Sequence, residues 1–312
     1  MRDRVLFGMA LMGGFLVTAP WIDAFSKLAA RTVPVGEVTA ARFLVQGAVM
    51  LPIAVWGGQG LGLPWGLWGP IFLRALMLAV STFAFVAAID VMPLADALAI
   101  VFVMPFILLI LGRLVMGDEV GPRRVAACAM GFGGCLLVIQ PSLAAFGLVA
   151  LWPLATAASF AVYMLVTRGL SGRMEAVAMQ LHTSWAALLI CVPVLWLAEG
   201  SGHPALDPLW PEGWAWAWLA GVGVASAVAH MLMTMALRHA PSATLAPLNY
   251  LEIVVSVTLG YLIFGDFPNA LTWAGIAVIV GSGLYVIHRE RLASAARQAP
   301  RPAQTEASRA AG

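Results

Sequence analysis

Charge is scarce in this 312-residue chain: Asp, Glu, Lys and Arg together make up 10%, against about 25% in a typical soluble domain. A water-soluble protein of this length needs far more polar residues to cover its surface. Cysteine is nearly absent, at three residues. Cys128 and Cys135 share one apolar segment and Cys191 lies in another, with no CxxC pair or His-Cys cluster. No metal, cofactor or disulfide framework is expected from that pattern. Single buried thiols acting as small apolar side chains are the better account. Lysine is limited to Lys27, and the net charge is +2, so there is no polyanion-binding signal and no nucleic-acid partner is expected. No Gly-x-x-x-x-Gly-Lys-Ser/Thr loop is present, which argues against a self-powered ATPase.

What the chain does have is apolar sequence. Apolar residues make up 62% and the mean hydropathy is +0.92. Ten segments stand out, near 5–22, 37–56, 69–89, 94–112, 122–140, 146–167, 176–198, 213–237, 243–264 and 270–288. A bilayer span needs roughly 20 mostly apolar residues. Inside lipid such a run must be helical, because only a helix satisfies its own backbone groups there. The first segment follows Arg2 and Arg4, as in a signal peptide, yet it is long for one and lacks a small-x-small exit. It reads as a retained anchor.

Arginine placement orients the spans. With the N-terminus inside, the inner segments hold 13 Arg, including Arg113, Arg123, Arg124, Arg168, Arg173 and Arg238, and the outer loops hold Lys27 and Arg31. Both termini are therefore expected in the cytoplasm. The loop over 199–212 carries Asp207 and no Arg or Lys, which suits the outer face. Trp210, Trp214, Trp216 and Trp218 read as an interfacial belt beside it, with Trp65 and Trp68 on the other side. The Ala-, Arg- and Pro-rich stretch over 291–312 is expected to be a disordered cytoplasmic tail.

The two halves resemble each other at a fixed offset of 148 residues. Leu111-Gly112-Arg113-Leu114 matches Leu259-Gly260-Tyr261-Leu262, and Gly117-Asp118 matches Gly265-Asp266. Pro93-Leu94-Ala95 matches Pro241-Ser242-Ala243, and Gly133, Leu136, Val138 and Ile139 match Gly281, Leu284, Val286 and Ile287. At a shorter offset Glu37 and Arg42 align with Glu175 and Gln180. Five spans per half is an odd number, so the second half enters from the opposite side. The expected fold is an all-α integral membrane protein of ten transmembrane helices, arranged as two inverted five-helix repeats over 1–145 and 146–290. Inverted repeats are the usual architecture of secondary transporters, with the substrate site near the midplane between them.

The combination of ten spans, Pro-Leu-Ala-Asp-Ala at 93–97, Pro105 and Leu-x-x-Gly-Asp-Glu at 114–119 resembles the EamA-type branch of the drug/metabolite transporter superfamily. A second copy runs from Pro241 through Glu252 to Phe264-Gly265-Asp266, and Gly-Ser-Gly-Leu-Tyr at 281–285 with Arg289-Glu290 also fits bacterial members. Two departures are visible: Asp266 stands where the family's second copy usually has Glu, and Ile253 where Pro is common. The resemblance covers residues 5 to about 290. It implies small organic substrates such as amino acids, nucleotide-derived metabolites, vitamins and drugs, moved by alternating access without ATP across a bacterial inner membrane. Members with this style of sequence resemble S-adenosylmethionine and riboflavin carriers.

Glu252 is the leading functional candidate. It lies nine residues into its span, about 14 Å deep at ~1.5 Å per residue, close to the midplane of a ~30 Å core. An ionised carboxylate there is costly unless paired or wetted. It is expected to line a central cavity and either bind a cationic group of the substrate or take up a proton; a protonated Glu bonded to a neighbouring helix is the bland alternative. Asn249 and Ser256 share its helical face and Tyr250 lies to one side. In the first half Val101, Met104 and Pro105 occupy the matching places.

Arg42 sits within span two, where it snorkels outward or pairs with Glu37, Asp23 or a substrate carboxylate. Asp96 is in a first helical turn, where capping is the bland reading. His230 is fairly deep, and Trp21, Tyr163 and Trp185 are aromatics able to stack a planar substrate, with core packing as the default for each. The candidate translocation residues are thus Glu252, Asn249, Tyr250, Arg42, Asp96, His230, Trp21 and Tyr163. Pro93, Pro105 and Pro241 are candidate kinks or gates. Gly131, Gly133, Gly134, Gly275, Gly281 and Gly283 read as close helix contacts, joining the halves or forming a homodimer interface. A membrane-embedded enzyme would need a catalytic cluster, and His182, His230 and Glu252 are dispersed. A passive channel or structural subunit is the other alternative.

Overall fold

The computed structural model describes residues 2–58, 61–91, 94–118, 120–139, 147–264 and 270–298. Among them the chain is all-helical. In order come α1 (Arg2–Ala30), α2 (Val35–Trp56), α3 (Trp68–Val91), α4 (Leu94–Val101), α5 (Met104–Met116) and α6 (Pro122–Ile139). They are followed by α7 (Leu151–Leu170), α8 (Ala176–Ala198), α9 (Ala215–His239), α10 (Ser242–Leu245), α11 (Glu252–Phe264) and α12 (Ala270–Gln298), which runs as helix through 291–298, contrary to the expected disorder. Three-residue-per-turn segments lie over Trp65–Leu67, Gly147–Ala150 and Ala246–Leu251. Seven helices among the described residues are long and apolar enough to cross a membrane.

Two apolar segments that the sequence reads as single spans are broken. The stretch over 94–112 divides into α4 and α5, with Phe102 and Val103 in a turn between them. Pro105 falls in the first turn of α5, where its missing N–H costs no helical hydrogen bond. The stretch over 243–264 divides into α10, the Ala246–Leu251 turn and α11, with Pro247 at the start of the turn. At the 148-residue offset, the break at Phe102 falls opposite Tyr250.

Turns elsewhere follow from local chemistry. Pro34, at φ −56°, opens α2 after Thr32 and Val33 have bonded back to the Ala29 carbonyl. Gly117 ends α5 in the left-handed region at φ 67°, which only glycine adopts cheaply. That turn lets the Asp118 amide donate to the Gly112 carbonyl at 3.1 Å. In the loop after α8, the Asp207 carboxylate accepts from the Gly200 and Gly202 amides, both at 2.8 Å. The same loop is tied to α2, since the Gly36 amide donates to the Ala205 carbonyl and the Leu209 amide to Glu37 Oε2.

The helices pack in cross-half pairs: α1 with α9, α3 with α7, α2 with α8, and α6 with α12. Small residues allow the close approaches. A Cβ on Gly134 would meet Ile279 and the Gly275 carbonyl, one on Gly131 the Tyr250 ring, and one on Gly283 the Leu251 side chain. Gly133 and Gly281 face open space, contrary to the expected contact. The interior mixes apolar side chains such as Met12, Phe43 and Leu78 with buried Arg42, Gln46, Arg74, Gln180 and His230. Large apolar side chains face outward instead, among them Leu189, Val192 and Leu262. Trp65, Trp210 and Trp214 are exposed near helix ends, as an interfacial belt requires. A polar network within an apolar interior, with large apolar side chains also facing outward, is the arrangement of a multi-pass membrane protein.

Candidate functional site

The longest reach of α1 explains the site. Its apolar run stops at Ile22, yet the helix continues to Ala30. The polar residues of that extension, Asp23 and Ser26, turn toward the bundle axis with Phe15, Ala19 and Ile22. They form one wall of an open cavity of about 100 Å³. α2 contributes Arg42, and α3 contributes Ser81, Thr82, Phe85 and Val86. α4 and α5 add Leu98, Val101 and Met104, while α7 adds Thr156 and Phe160. His230 of α9 and Glu252, the first residue of α11, complete it.

The cavity therefore holds two carboxylates and one guanidinium among three phenyl rings. Arg42 is 5% exposed and donates to the Thr82 hydroxyl and to His230 Nε2. Because His230 Nε2 accepts from a guanidinium, its ring proton must sit on Nδ1. Nδ1 in turn lies 3.0 Å from the Tyr163 hydroxyl oxygen. That oxygen also accepts from Arg74 at 2.8 Å. Arg42 Nε is buried with no hydrogen-bond partner, so one donor on the cavity wall is still open to an acceptor.

Arg74 is fully buried. Besides Tyr163 it donates to Thr167 at 2.8 Å, Thr183, the Met179 carbonyl at 3.4 Å and Thr234 at 3.3 Å. Its guanidinium carbon lies 4.6 Å from the Tyr163 ring centroid. Gln180 bonds Thr234 at 2.6 Å and the His230 carbonyl at 2.7 Å, and accepts from Gln46 at 3.0 Å. One connected polar core thus runs from Thr82 to Gln46 through both arginines.

The expected site residues separate into groups. Glu252, Arg42 and His230 meet at the cavity, and Tyr163 joins them through His230 rather than from the wall. Asn249 is fully buried, and its amide turns back to the Leu245 and Ala246 carbonyls at 3.4 and 3.1 Å. It is not a cavity wall, because short amide side chains compete for nearby backbone acceptors. Tyr250 packs under Gly131 and beside Phe102. Trp21 is 39% exposed and leans on Phe25 at 6.0 Å, and Trp185 is half exposed in an apolar groove with His182. The aromatic walls are Phe15, Phe85 and Phe160 instead. Glu37 is taken by the Leu209 amide, so it does not pair with Arg42. Pro241 is the residue before α10, at φ −59°. Asp96 lies in α4, but its side chain, like Pro93, lies outside the described residues. The expected site omits Asp23 as a wall residue and Arg74 as a network member. The signal for Asp23 is a lone carboxylate directly after an apolar run.

The EamA-like transporter family model matches this sequence twice, over residues 6–140 and 147–287. This chain belongs to the EamA-like transporter family. Similar EamA-like proteins include a riboflavin transporter of Rhizobium johnstonii, 31% identical over 70% of this chain and 69% of that protein. An S-adenosylmethionine uptake transporter of Rickettsia prowazekii is 23% identical over 88% of this chain and 90% of its own length. A pseudopaline exporter of Pseudomonas aeruginosa is 25% identical over 87% and 92%. One solved crystal structure shares the fold with a TM-score of 0.74 at 21% identity, covering 93% of this chain and 98% of the other. The EamA-like chain is a membrane transporter rather than an enzyme.

Proposed function

We propose that this protein is a secondary active transporter that moves a small organic metabolite across the bacterial inner membrane by alternating access. The observation that carries the reading is the cavity itself. Its walls come from both halves of the chain, and Asp23, Arg42, His230 and Glu252 converge on it. Charged groups at membrane depth are rare and mark transport paths. Carboxylates and a guanidinium across one space suit an amphoteric solute, and Phe15, Phe85 and Phe160 suit its apolar or planar part. Relatives named for riboflavin, S-adenosylmethionine and pseudopaline support a small-metabolite substrate.

In the same reading, residues 1–145 and 146–290 are two inverted five-helix repeats, both termini are cytoplasmic, and 291–312 is a cytoplasmic tail. The double family match, the cross-half pairing of α1 with α9 and α3 with α7, and the facing breaks at Phe102 and Tyr250 support the repeat. Glu252 is the residue for a coupling proton, since it is a carboxylate at membrane depth on the cavity wall.

The test is counterflow in proteoliposomes with labelled S-adenosylmethionine and riboflavin as first substrates. Trans-stimulated exchange requires a carrier. Flux that trans substrate does not stimulate would indicate a channel and overturn the reading.

A further inference from the structure

The cavity lies toward one end of the bundle. Ser26, Val86 and Leu98 line it, and all three sit near the end where α1 meets α2. Arg42 is seven residues into α2 from that end, about 10 Å at ~1.5 Å per residue. Arg74 is six residues into α3 from the opposite end, where α2 leads to α3, about 9 Å on the same rise. The backbone positions of the two arginines thus lie at similar depths from opposite ends of the bundle. His230 and Tyr163 are the links between them.

Their surroundings differ in one respect. Arg42 shares its cavity with Asp23 and Glu252. Arg74 has no carboxylate partner among the described residues: Thr167, Thr183, Thr234, Tyr163 and a carbonyl accept all its hydrogen bonds. All five N–H donors of Arg74 are thereby occupied, yet no neighbouring carboxylate cancels its charge, so an oxyanion that displaced the threonine hydroxyls would still be attracted to it. The weak repeat alignment sharpens this. The residue that corresponds to Arg42 in the second half is the neutral Gln180, and Gln180 shares Thr234 with Arg74.

Resting on the transport reading, we infer that Arg74 is a second anion-binding residue of the path. It serves the cavity when that opens at the α2–α3 end, receiving a substrate carboxylate or other oxyanion that Arg42 releases. Thr167, Thr183 and Thr234 then line the inner vestibule around it. Between this cluster and that end of the bundle lies the ion pair of Asp118 with Arg168, joined by Ser242 at 2.7 Å from the carboxylate. That tie must part for the vestibule to open.

The experiment needs no identified substrate. Thr183→Cys is made in a protein carrying Cys128→Ala, Cys135→Ala and Cys191→Ala. It is labelled in right-side-out and inside-out vesicles with anionic sulfonatoethyl and cationic trimethylammonioethyl methanethiosulfonates. Each rate is divided by the same reagent's rate with a free thiol. The expected result is reaction from the face bearing the α2–α3 end, with the anionic reagent favoured roughly tenfold by the adjacent charge. Arg74→Lys keeps that preference and Arg74→Gln abolishes it. Absence of reaction from that face overturns the proposal, as does a preference at the free-thiol value, whether or not the Gln variant folds. Missing counterflow would overturn carriage while leaving the labelling result intact, so the two failures are distinguishable.

Discussion

The rings of Phe102 and Tyr250 lie 5.9 Å apart, tilted by 41°, where the two broken helices face each other. Each ring marks the break in its own half. The contact places Met104 and Glu252, two residues further on in each half, on the same cavity. Gly131 of α6 covers the other side of Tyr250, and a Cβ there would come within 2.4 Å of the ring.

Gly131→Ala is therefore expected to displace Tyr250 and with it the Ala246–Leu251 turn. Overpacking of this kind costs about 1–3 kcal/mol. A fall in the thermal midpoint of the detergent-purified protein checks it. An unchanged midpoint would mean the helices separate freely here.

Glu252→Gln and Asp23→Asn each remove one cavity carboxylate while preserving shape. A hydrogen bond to a charged group is worth about 1.5–3 kcal/mol, so exchange should fall by roughly 10- to 150-fold with either variant. Counterflow at fixed protein amount reads this directly. Glu252→Gln should also flatten the pH dependence of transport if the residue carries the coupling proton.

Tyr163→Phe deletes the oxygen that meets both His230 and Arg74. Two buried donors then lose a partner, each at a cost of about 1–3 kcal/mol. The expected outcome is a clear loss of stability in chemical unfolding. Phe160→Leu, on the cavity wall, should instead leave the polar core intact and weaken substrate binding.

Asp118 gives an acid-sensitive tie at the end of the bundle. Partial burial raises its carboxyl, but hydrogen bonds from Arg168 and Ser242, the Arg168 charge and the Ala243 amide outweigh this. Its pKa is held below the ordinary carboxylate value. A depressed folded value contributes stability that is complete above the unfolded value of about 3.9 and is lost as pH falls through the folded one. Thermal midpoints measured from pH 6 down to pH 3 should therefore drop in the native protein, with a smaller drop in Asp118→Asn.

Glu175 and Arg238 form an exposed bidentate pair at 2.8 and 3.2 Å. Arg238 lowers the Glu175 carboxyl by hydrogen bonding and charge. Solvent screens such pairs, so Glu175→Gln should cost under about 1 kcal/mol. A larger shift in the thermal midpoint would show that the pair is worth more than an ordinary exposed one.

Much of this was legible in the chain. Apolar run lengths place the helices, because lipid leaves no alternative for an unpaired backbone. Glu252, Arg42 and His230 stand out as charged or titratable groups where apolar ones are expected. The breaks were less visible: hydropathy does not report a change from 3.6 to 3.0 residues per turn, and Pro105 reads equally as a kink or a helix start. Asn249 and Trp21 sit beside candidate walls in sequence but turn elsewhere, since the direction of a side chain depends on its neighbours. Asp23 lay just past an apolar run and stood only as one possible partner of Arg42, not as a wall of the site.

By itself, then, the sequence determined that this is a multi-pass helical membrane protein with a scarce set of charges at membrane depth. That follows from composition and run length, which are local properties. Only the tertiary structure decided which charges meet. Arg42 and Arg74 are on adjacent helices, yet what joins them is His230 and Tyr163, brought from α9 and α7 by packing between the halves. Contacts of that kind depend on helix rotation and cross-half pairing, which no single segment encodes.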